Sequence, residues 1–537
     1  MLVVLSACPG SRTTDRTAAK RPRLVVLVVI DQLPVWVFER DRPLFRHGFA
    51  RLQREAAYAV AELPYANTFT APGHATMGTG APPSVHGILA NSWYRRADGR
   101  ERAAEYDPGV KVFQVGPSHG EPLGPEDGAS SRGLRVGGTA DILRATHPTA
   151  RSISISLKPR AATLMTGKRP DIAIWYEAGA GGMTTSSTFA REAPKWLKTL
   201  AREKPIARFL GQTWKPLDES LLGRTTLLPD DAPGESDVHG LGRAFPHTVS
   251  REVKDNRALL LTPFADEAVL DTVLAAIPVY GLGADDVPDL LAISFNAHDY
   301  AGHAWGPESW EVLDLTLRLD VLLGQLFDAL DRELGRDGWA VVLSSDHGST
   351  PLVERARVAH SRRIPTDEIR LVAESALGTY GEGPWIAAVS SNNVYFTAKL
   401  ARLSVTDRTA VLETAAKAIA AVPGVAAAGR NDRLDGACEP RTGLDRAICF
   451  SIVGGESGEL YVLARQGSLI SEYTAGTGHD APFEDNRLVP VYVKAPGLRP
   501  RVGKASTLQI APTISALLGV PAPEAATARP LFDLPAR

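Results

Sequence analysis

A threonine at a predicted helix start is the first residue of this chain whose position suits chemistry. In Thr70-Ala-Pro-Gly-His74, Thr70 can cap a helix and Pro72 suits its first turn, where a missing N–H costs nothing. Free N–H groups and the positive end of the helix dipole favour an anion there. A threonine hydroxyl is a poor nucleophile at neutral pH, so a nucleophilic role for Thr70 requires a metal or a base from elsewhere in the chain. The alternative is a capped surface helix without chemistry.

Carboxylates and imidazoles that could bind metal ions stand at the ends of hydrophobic runs. Asp299 and His303 are four residues apart, a spacing that places both on one face of a helical turn. Asp31 directly follows an apolar run, although a residue in that position could also cap the next helix. Three carboxylates and three imidazoles suffice for two metal ions with mixed oxygen and nitrogen ligands, a set that suits zinc. The six candidates are Asp31, Asp299, His303, Asp346, His347 and His479.

Two cations and one amide complete the candidate site. Lys158 and Arg160 follow a predicted strand with a single residue between them, so they can converge on one anion. Arginine brings a planar fork that suits phosphate oxygens. Taken alone, the pair could equally belong to a solvated loop. Asn91 lies at the end of the Thr70 segment and offers its amide to the same group.

Buried strands and packed helices must position these residues. A continuous β-branched run is typical of a parallel strand buried on both faces, and the carboxyl end of such strands is where sites form in open α/β sheets. The sequence predicts strands at Leu24–Ile30, Arg151–Leu157, Asp171–Tyr176, Leu290–Phe295, Trp339–Ser345, Asn393–Thr397 and Leu488–Val493. It predicts helices at Glu308–Leu334, Asp407–Ala421 and Thr507–Gly519.

Length and composition are those of an ordinary globular protein. Of the 537 residues, 44% are hydrophobic and 22% are charged, and the net charge is −2. A net charge this small indicates no surface for nucleic acid or an anionic membrane. Any affinity for phosphate must therefore come from a local group of residues. Length alone suggests three or four domains. Because the candidate ligands are spread along the chain, we expect one α/β domain over residues 24–537, with insertions at about 178–288 and 360–471. His239 and His247, in the first insertion, are interpreted as structural.

Residues 1–23 are interpreted as an export segment and linker. Leu5-Ser-Ala-Cys8 resembles the lipobox at which bacterial lipoprotein precursors are cleaved and lipidated, although the positive region of a signal peptide is absent and the apolar region is short. A chance similarity is the alternative. Cys438 and Cys449 form a disulfide if the compartment is oxidising, and are two free thiols otherwise. We expect a periplasmic monomer, with a lipid anchor on Cys8 as its route to a membrane.

Taken together, the motifs resemble the alkaline phosphatase superfamily, and most of all its phosphate-irrepressible branch, with nucleotide pyrophosphatase/phosphodiesterases as cousins. Six motifs occur in the family's order from about Leu24 to the C-terminus. They are TAPGHATMGTG with PSVHGILANSW, the K-P-R of residues 158–160, DYAGHAWGP, SSDHG, TGH and IAPTISALLG. The resemblance implies an α/β fold with a central, mostly parallel β-sheet flanked by helices, and inserted cap segments.

The resemblance also implies a mechanism that uses two Zn²⁺ ions. Thr70 would bridge to the second zinc, attack phosphorus and form a covalent phosphothreonine. The first zinc would stabilise the leaving oxygen and then supply the hydroxide that hydrolyses the intermediate. The implied ligands are Asp299, His303 and His479 for the first zinc, and Asp31, Asp346 and His347 for the second.

The substrate class depends on the groups that meet the non-bridging phosphate oxygens. In the family, an asparagine with K-x-R accompanies phosphate monoesterases, whereas diesterases keep the asparagine and lack K-x-R. This chain has Asn91, Lys158 and Arg160, which can stabilise the greater charge of a monoester dianion. The prediction is a zinc-dependent alkaline phosphatase acting on small phosphate monoesters, with weak diesterase activity. The alternatives are a phosphodiesterase or nucleotide pyrophosphatase, and a non-catalytic zinc-binding lipoprotein.

Overall fold

The structure is a computed structural model that describes residues 21–251, 257–356 and 358–532; the lipobox-like Cys8 lies outside the described residues. The strands are β1 Leu24–Ile30, β2 Ala57–Glu62, β3 Ser92–Arg95, β4 Arg100–Ala103, β5 Ser152–Ser156, β6 Ile172–Glu177, β7 Gly182–Thr184, β8 Thr213–Trp214, β9 His247–Thr248, β10 Asp289–Phe295, β11 Trp339–Ser344, β12 Arg363–Ile364, β13 Ile386–Ser390, β14 Asn393–Phe396, β15 Val425–Arg430, β16 Leu460–Ala464, β17 Leu469–Ile470, β18 Leu488–Lys494 and β19 Val502–Ser506. The α-helices are α1 Val35–Asp41, α2 Gly48–Glu55, α3 Thr70–Thr79, α4 Pro83–His86, α5 Thr139–Thr146, α6 Pro159–Leu164, α7 Lys195–Glu203, α8 Glu219–Thr226, α9 Arg257–Leu260, α10 Pro263–Tyr280, α11 Ala297–Trp305, α12 Trp310–Leu334, α13 Thr366–Leu377, α14 Val405–Ala420, α15 Gly443–Ser451, α16 Glu484–Arg487 and α17 Ile510–Leu518.

A nine-stranded sheet forms the centre of the protein, in the order β19-β2-β18-β11-β1-β10-β5-β6-β7. β1 pairs in parallel with β10 and β11, and β5 pairs in parallel with β10 and β6. β18 is antiparallel to both of its neighbours, and β7 is antiparallel to β6. β2 and β19 pair in parallel. All strands except β18 and β7 therefore point the same way, which confirms the predicted mostly parallel sheet.

The burial of β1 explains why helices cover both faces of this sheet. All seven residues of β1 are buried, and successive side chains of a strand point to opposite faces. Its even-numbered residues pack into one apolar cluster with Leu323 of α12, and its odd-numbered residues pack into another with Leu517 of α17. An apolar strand with two buried faces requires a helical layer on each side, so the α/β class follows directly from the sequence of β1.

A second, smaller sheet lies within the segment predicted as the later insertion. Its four antiparallel strands are ordered β13-β14-β16-β15, and they share an apolar cluster with α13 and α14. Cys438 and Cys449 are joined by a disulfide, and Cys449 lies in the helix α15. The boundaries proposed for both insertions stay a prediction. Among the described residues, no helix combines the length and apolar character needed to cross a membrane.

The start of α3 differs by one residue from the sequence prediction. Phe69 occupies the capping position, and Thr70 is the first helical residue. The Thr70 hydroxyl is therefore not used as a cap, and it points instead toward the ends of the central strands, where the candidate site lies.

Candidate two-metal active site

The first group of predicted ligands, here called the Asp346 group, consists of Asp31, Asp346 and His347. Asp31 follows β1, and Asp346 with His347 follows the adjacent parallel strand β11, so all three lie at one edge of the sheet. Their ligand atoms lie within 4.8 Å of one another, and all three residues are fully buried. The structure thus brings Asp31 together with two residues that lie more than 300 positions further along the chain.

The second group, here called the Asp299 group, consists of Asp299, His303 and His479. Asp299 and His303 lie one turn apart on α11, which begins where β10 ends, and His479 comes from the loop ahead of α16. The ligand atoms again lie within 4.8 Å of one another. Both sets of three are those that the family resemblance implied, while their role as metal ligands stays a prediction.

Each histidine of the two groups is oriented through its Nδ1 atom. When Nδ1–H donates to a backbone carbonyl, the lone pair that a metal needs is on Nε2. Burial and the neighbouring imidazoles hold the pKa of His479 well below its usual range, and burial lowers the pKa of His347, so both are neutral at neutral pH. The distances are 2.8 Å from His303 Nδ1 to Thr477 O, 2.9 Å from His347 Nδ1 to Gly348 O and 2.5 Å from His479 Nδ1 to Thr68 O.

Carboxylate oxygens without hydrogen-bond partners face these imidazoles. Among the described residues, Asp31 Oδ1 and Asp346 Oδ2 are buried and accept no hydrogen bond, and each lies 3.4 Å from His347 Nε2. Burial, together with the charges of Asp299 and Asp346, raises the pKa of Asp31 well above its usual range. Leaving buried carboxylate oxygens unpaired is costly unless a cation binds them, so the donor set fits a divalent metal ion.

Lys158 lies between the two groups. Its Nζ is 2.7 Å from Asp31 Oδ2 and also hydrogen-bonds to Asp299 Oδ2. Burial lowers the pKa of Lys158, but the two carboxylates outweigh that effect and raise it above its usual range. In this structure the Lys158 ammonium contacts two buried carboxylates, those of Asp31 and Asp299, and its predicted contact with phosphate oxygens stays a prediction.

The candidate nucleophile and amide lie on either side of the start of α3. Thr70 Oγ1 is 3.4 Å from His347 Nε2, so the hydroxyl borders the Asp346 group. Asn91 Oδ1 accepts a 2.8 Å hydrogen bond from Ala71 N. Because the oxygen of the Asn91 amide is occupied in this way, its Nδ2 is the group left to donate to a ligand.

A cavity of about 560 Å³ opens in front of these residues, which is a size typical of sites for small organic molecules. Asn91, Lys158 and Arg160 line it together with Asp299 and His303 of the Asp299 group. Three of the four predicted catalytic residues thus line the same cavity. The fourth is Thr70, whose hydroxyl lies beside His347 of the Asp346 group.

Gln32 connects the two ligand groups, and the sequence analysis missed it. Its backbone N–H donates to Asp346 Oδ1 at 3.2 Å, and its Nε2 donates to Asp299 Oδ1 at 2.9 Å. Gln32 has a φ of 62°, a left-handed conformation that is uncommon for a residue other than glycine. Its position directly after the candidate ligand Asp31 is the feature of the sequence that could have indicated a role at the site.

Two further polar residues that were not predicted contact the ligand carboxylates, and His74 does so without a hydrogen bond, since its Nδ1 is bonded to Thr70 O. Asn296 Nδ2 donates to Asp31 Oδ2 at 2.7 Å, and His74 Nδ1 lies 3.2 Å from Asp346 Oδ2. Of the two histidines interpreted as structural, His247 is buried and hydrogen-bonds to Glu311, while His239 lies on the wall of the cavity.

The chain belongs to the type I phosphodiesterase / nucleotide pyrophosphatase family, whose sequence pattern matches residues 25–480. It is 27% identical to the alkaline phosphatase PafA of Elizabethkingia meningoseptica over 99% of this chain and 98% of that protein. It is 28% identical to the alkaline phosphatase PhoV of Synechococcus elongatus over 96% of this chain and 93% of that protein. The crystal structure of PafA matches with a TM-score of 0.85, covering 97% of this chain and all of that one. The resemblance stated from the sequence is confirmed.

Proposed function

We propose that the protein is a metal-dependent phosphatase that hydrolyses phosphate monoesters through a phosphothreonine intermediate. The observation that carries the proposal is the convergence of two three-ligand groups on the start of α3, where the Thr70 hydroxyl lies beside one of them. The names of the similar proteins PafA and PhoV support the same reaction class.

Two zinc ions suit the donor sets, because each group offers carboxylate oxygens and imidazole nitrogens. Zinc at these positions would lower the pKa of a nearby hydroxyl or water and compensate negative charge on oxygen. Once the ligand carboxylates are neutralised, the ammonium of Lys158 is available to substrate oxygens in the cavity that it already lines.

The residues of the chain perform the steps of the reaction. The Thr70 oxygen loses its proton and forms a bond to phosphorus, while the bond from phosphorus to the ester oxygen breaks and the alcohol leaves. The Asn91 amide then donates to an oxygen of the phosphoryl group, and the positive end of the α3 dipole stabilises its negative charge. Water cleaves the phosphothreonine, which releases inorganic phosphate and restores the Thr70 hydroxyl.

Arg160 and Lys158 favour a monoester over a diester. A monoester dianion carries one more charged non-bridging oxygen than a diester, so two cations on the cavity wall stabilise it more. The family to which the chain belongs also includes phosphodiesterases, so diester or pyrophosphate hydrolysis is the second candidate function.

The test compares p-nitrophenyl phosphate with bis-p-nitrophenyl phosphate. We expect a higher kcat/KM for the monoester, and a much larger loss on the monoester than on the diester in the Lys158→Ala/Arg160→Ala double variant. Equal losses on both substrates would contradict the assigned role of the pair, and a reversed preference would establish the diesterase alternative. Chelation should abolish the activity and added zinc should restore it. Metal binding without turnover of either ester would instead support the non-catalytic alternative.

We also propose a periplasmic location, with Cys8 as the point of lipid attachment. The Cys438–Cys449 disulfide supports this proposal, because disulfides persist mainly in oxidising compartments. Fractionation of expressing cells tests the location, and mass spectrometry of the N-terminal peptide tests the lipid. A reduced, cytosolic protein with an unmodified N-terminus would contradict both parts.

A further inference from the structure

The cavity in front of the site extends well beyond the residues that would hold a phosphate group. Its inner end is defined here by the buried Lys158 with the half-buried Asn91 and Arg160. Its outer walls are defined by the exposed Tyr473 with the half-buried Val238, neither of which the proposed reaction uses. If a phosphoryl group binds at the inner end, the rest of the cavity can hold the leaving group of the ester.

The outer walls are fixed to the helix that carries two of the ligands. One wall loop is joined to α11 by a 2.9 Å hydrogen bond from Ser236 N to Ala304 O, and the other by a 2.9 Å hydrogen bond from Thr477 N to His303 O. The two loops are joined to each other by a 2.7 Å hydrogen bond from Gly476 N to Gly234 O. A side chain at position 476 would overlap with the carbonyl oxygen of His303, so glycine permits this close approach.

This arrangement places the cavity on the side from which a leaving group would depart. Asp299 and His303 line it, whereas the nucleophile Thr70 borders the Asp346 group. In an in-line displacement the attacking and leaving oxygens lie on opposite sides of phosphorus. The ester oxygen then faces the Asp299 group, and its substituent faces the outer walls.

Tyr473 is the outer-wall residue that indicates the chemistry of that substituent. It is a large aromatic side chain that is 73% exposed, although it lies on the wall of a cavity. Val238 on the same lining is half-buried and Leu261 is only 4% exposed, so Tyr473 supplies most of the apolar surface of the lining, and the planar groups of His239 and Arg257 can also stack against rings. An exposed aromatic face beside apolar side chains is suited to an aromatic ring in the ligand.

We propose that the outer cavity is a leaving-group subsite for aryl and heteroaryl phosphate esters, with the Tyr473 ring as its stacking surface. The proposal rests on the proposed function, because it takes the phosphoryl end to be held at Lys158 and Arg160. Stacking of a ring on an exposed aromatic side chain contributes about tenfold or more in affinity.

Calorimetric binding to the zinc-saturated protein tests the subsite without depending on turnover. The probes are inorganic phosphate, methylphosphonate, benzylphosphonate and cyclohexylmethylphosphonate. We expect benzylphosphonate to bind about tenfold more tightly than methylphosphonate, and the saturated ring to show a smaller gain. Tyr473→Ala should remove the gain of benzylphosphonate while leaving the affinity for methylphosphonate unchanged, and Tyr473→Phe should keep the gain. Tyr380→Ala, a substitution of another exposed tyrosine that is absent from the cavity lining, is the matched control and should behave as wild type.

Three results would overturn the inference in different ways. Equal affinities for benzylphosphonate and methylphosphonate in the wild type would exclude an aromatic subsite. Equal gains from the benzyl and cyclohexylmethyl groups, or a gain that survives Tyr473→Ala, would exclude stacking on Tyr473. Failure of inorganic phosphate and methylphosphonate to bind at all would refute the proposed function, and the subsite with it.

Discussion

The substitution Gly302→Ala tests how strictly the ligand groups depend on Gln32. Gly302 lies inside α11, between Asp299 and His303, where alanine would favour the helix by about 1 kcal/mol. A Cβ at this position would nevertheless overlap with Gln32 Oε1. Gln32 is buried, so its amide can escape the overlap only by giving up the 2.9 Å hydrogen bond to Asp299 Oδ1. A substitution that favours the helix is therefore expected to weaken the metal site.

The magnitude follows from the hydrogen bond that is lost. A hydrogen bond to a charged group contributes about 1.5–3 kcal/mol, which corresponds to about a 10- to 150-fold loss of zinc affinity at the Asp299 group. Zinc affinity is measured by competition with a chromophoric chelator. Gln32→Ala should cause a loss of similar size, and the Gly302→Ala/Gln32→Ala double variant should bind zinc no more weakly than Gln32→Ala alone, because the overlap is then absent.

Gly378→Ala is the matched control, since a Cβ there would meet nothing within 4 Å and the residue lies far along the chain from the site. It should bind zinc as the wild type does. Wild-type affinity in Gly302→Ala, or losses that add in the double variant, would refute the role assigned to Gln32.

Three further predictions concern the nucleophile, a buried acid beside Arg160 and the pH dependence of stability. Thr70→Ala should lower turnover of p-nitrophenyl phosphate by about 10³-fold or more while the zinc content stays at the wild-type value; unchanged turnover would exclude Thr70 as the nucleophile. Glu105→Gln should raise the ratio of monoester to diester kcat/KM by about threefold, because it removes a buried negative charge that acts on Arg160, which stays protonated and then attracts the monoester dianion more strongly; an unchanged ratio would exclude this interaction. Burial and the charge of Glu311 raise the pKa of Glu235 to about 9. Between about pH 4.5 and pH 9 the folded protein therefore holds a proton that the unfolded chain has released. The free energy of unfolding should consequently fall as the pH rises from about 5 to 9. Thermal unfolding of Glu235→Gln across this range should show a smaller fall than the wild type, and an unchanged slope would contradict the assignment.

The positions of the strand-end candidates could be predicted because their surroundings in the sequence are distinctive, while their role as metal ligands stays a prediction. A polar residue such as Asp31 or Asp346 that follows a buried apolar run within a few residues lies at the carboxyl edge of a parallel sheet. The spacing of Asp299 and His303 placed both on one helical face, as α11 shows. The family motifs supplied the grouping into two sets of three, which strand order alone did not determine.

The supporting residues could not be predicted in the same way. Gln32 and Asn296 are amides, which occur in most loops, and their hydrogen bonds to Asp299 and Asp31 cross more than 260 positions in the chain. Lys158 was assigned to phosphate, and only the assembled structure shows that two buried carboxylates also contact its ammonium. The edge strand β19 was missed because Val502-Gly-Lys-Ala-Ser506 has neither an apolar run nor a clear alternation.

The position of His479 has a consequence for the synthesis of the protein. Asp299 and His303 emerge from the ribosome long before His479, which lies in the final part of the 537-residue chain. A polypeptide that stops before residue 479 therefore contains at most two of the three residues of the Asp299 group. Under the proposed assignment, the first ion is captured only after residue 479 has been synthesised, and fragments that stop earlier remain catalytically silent.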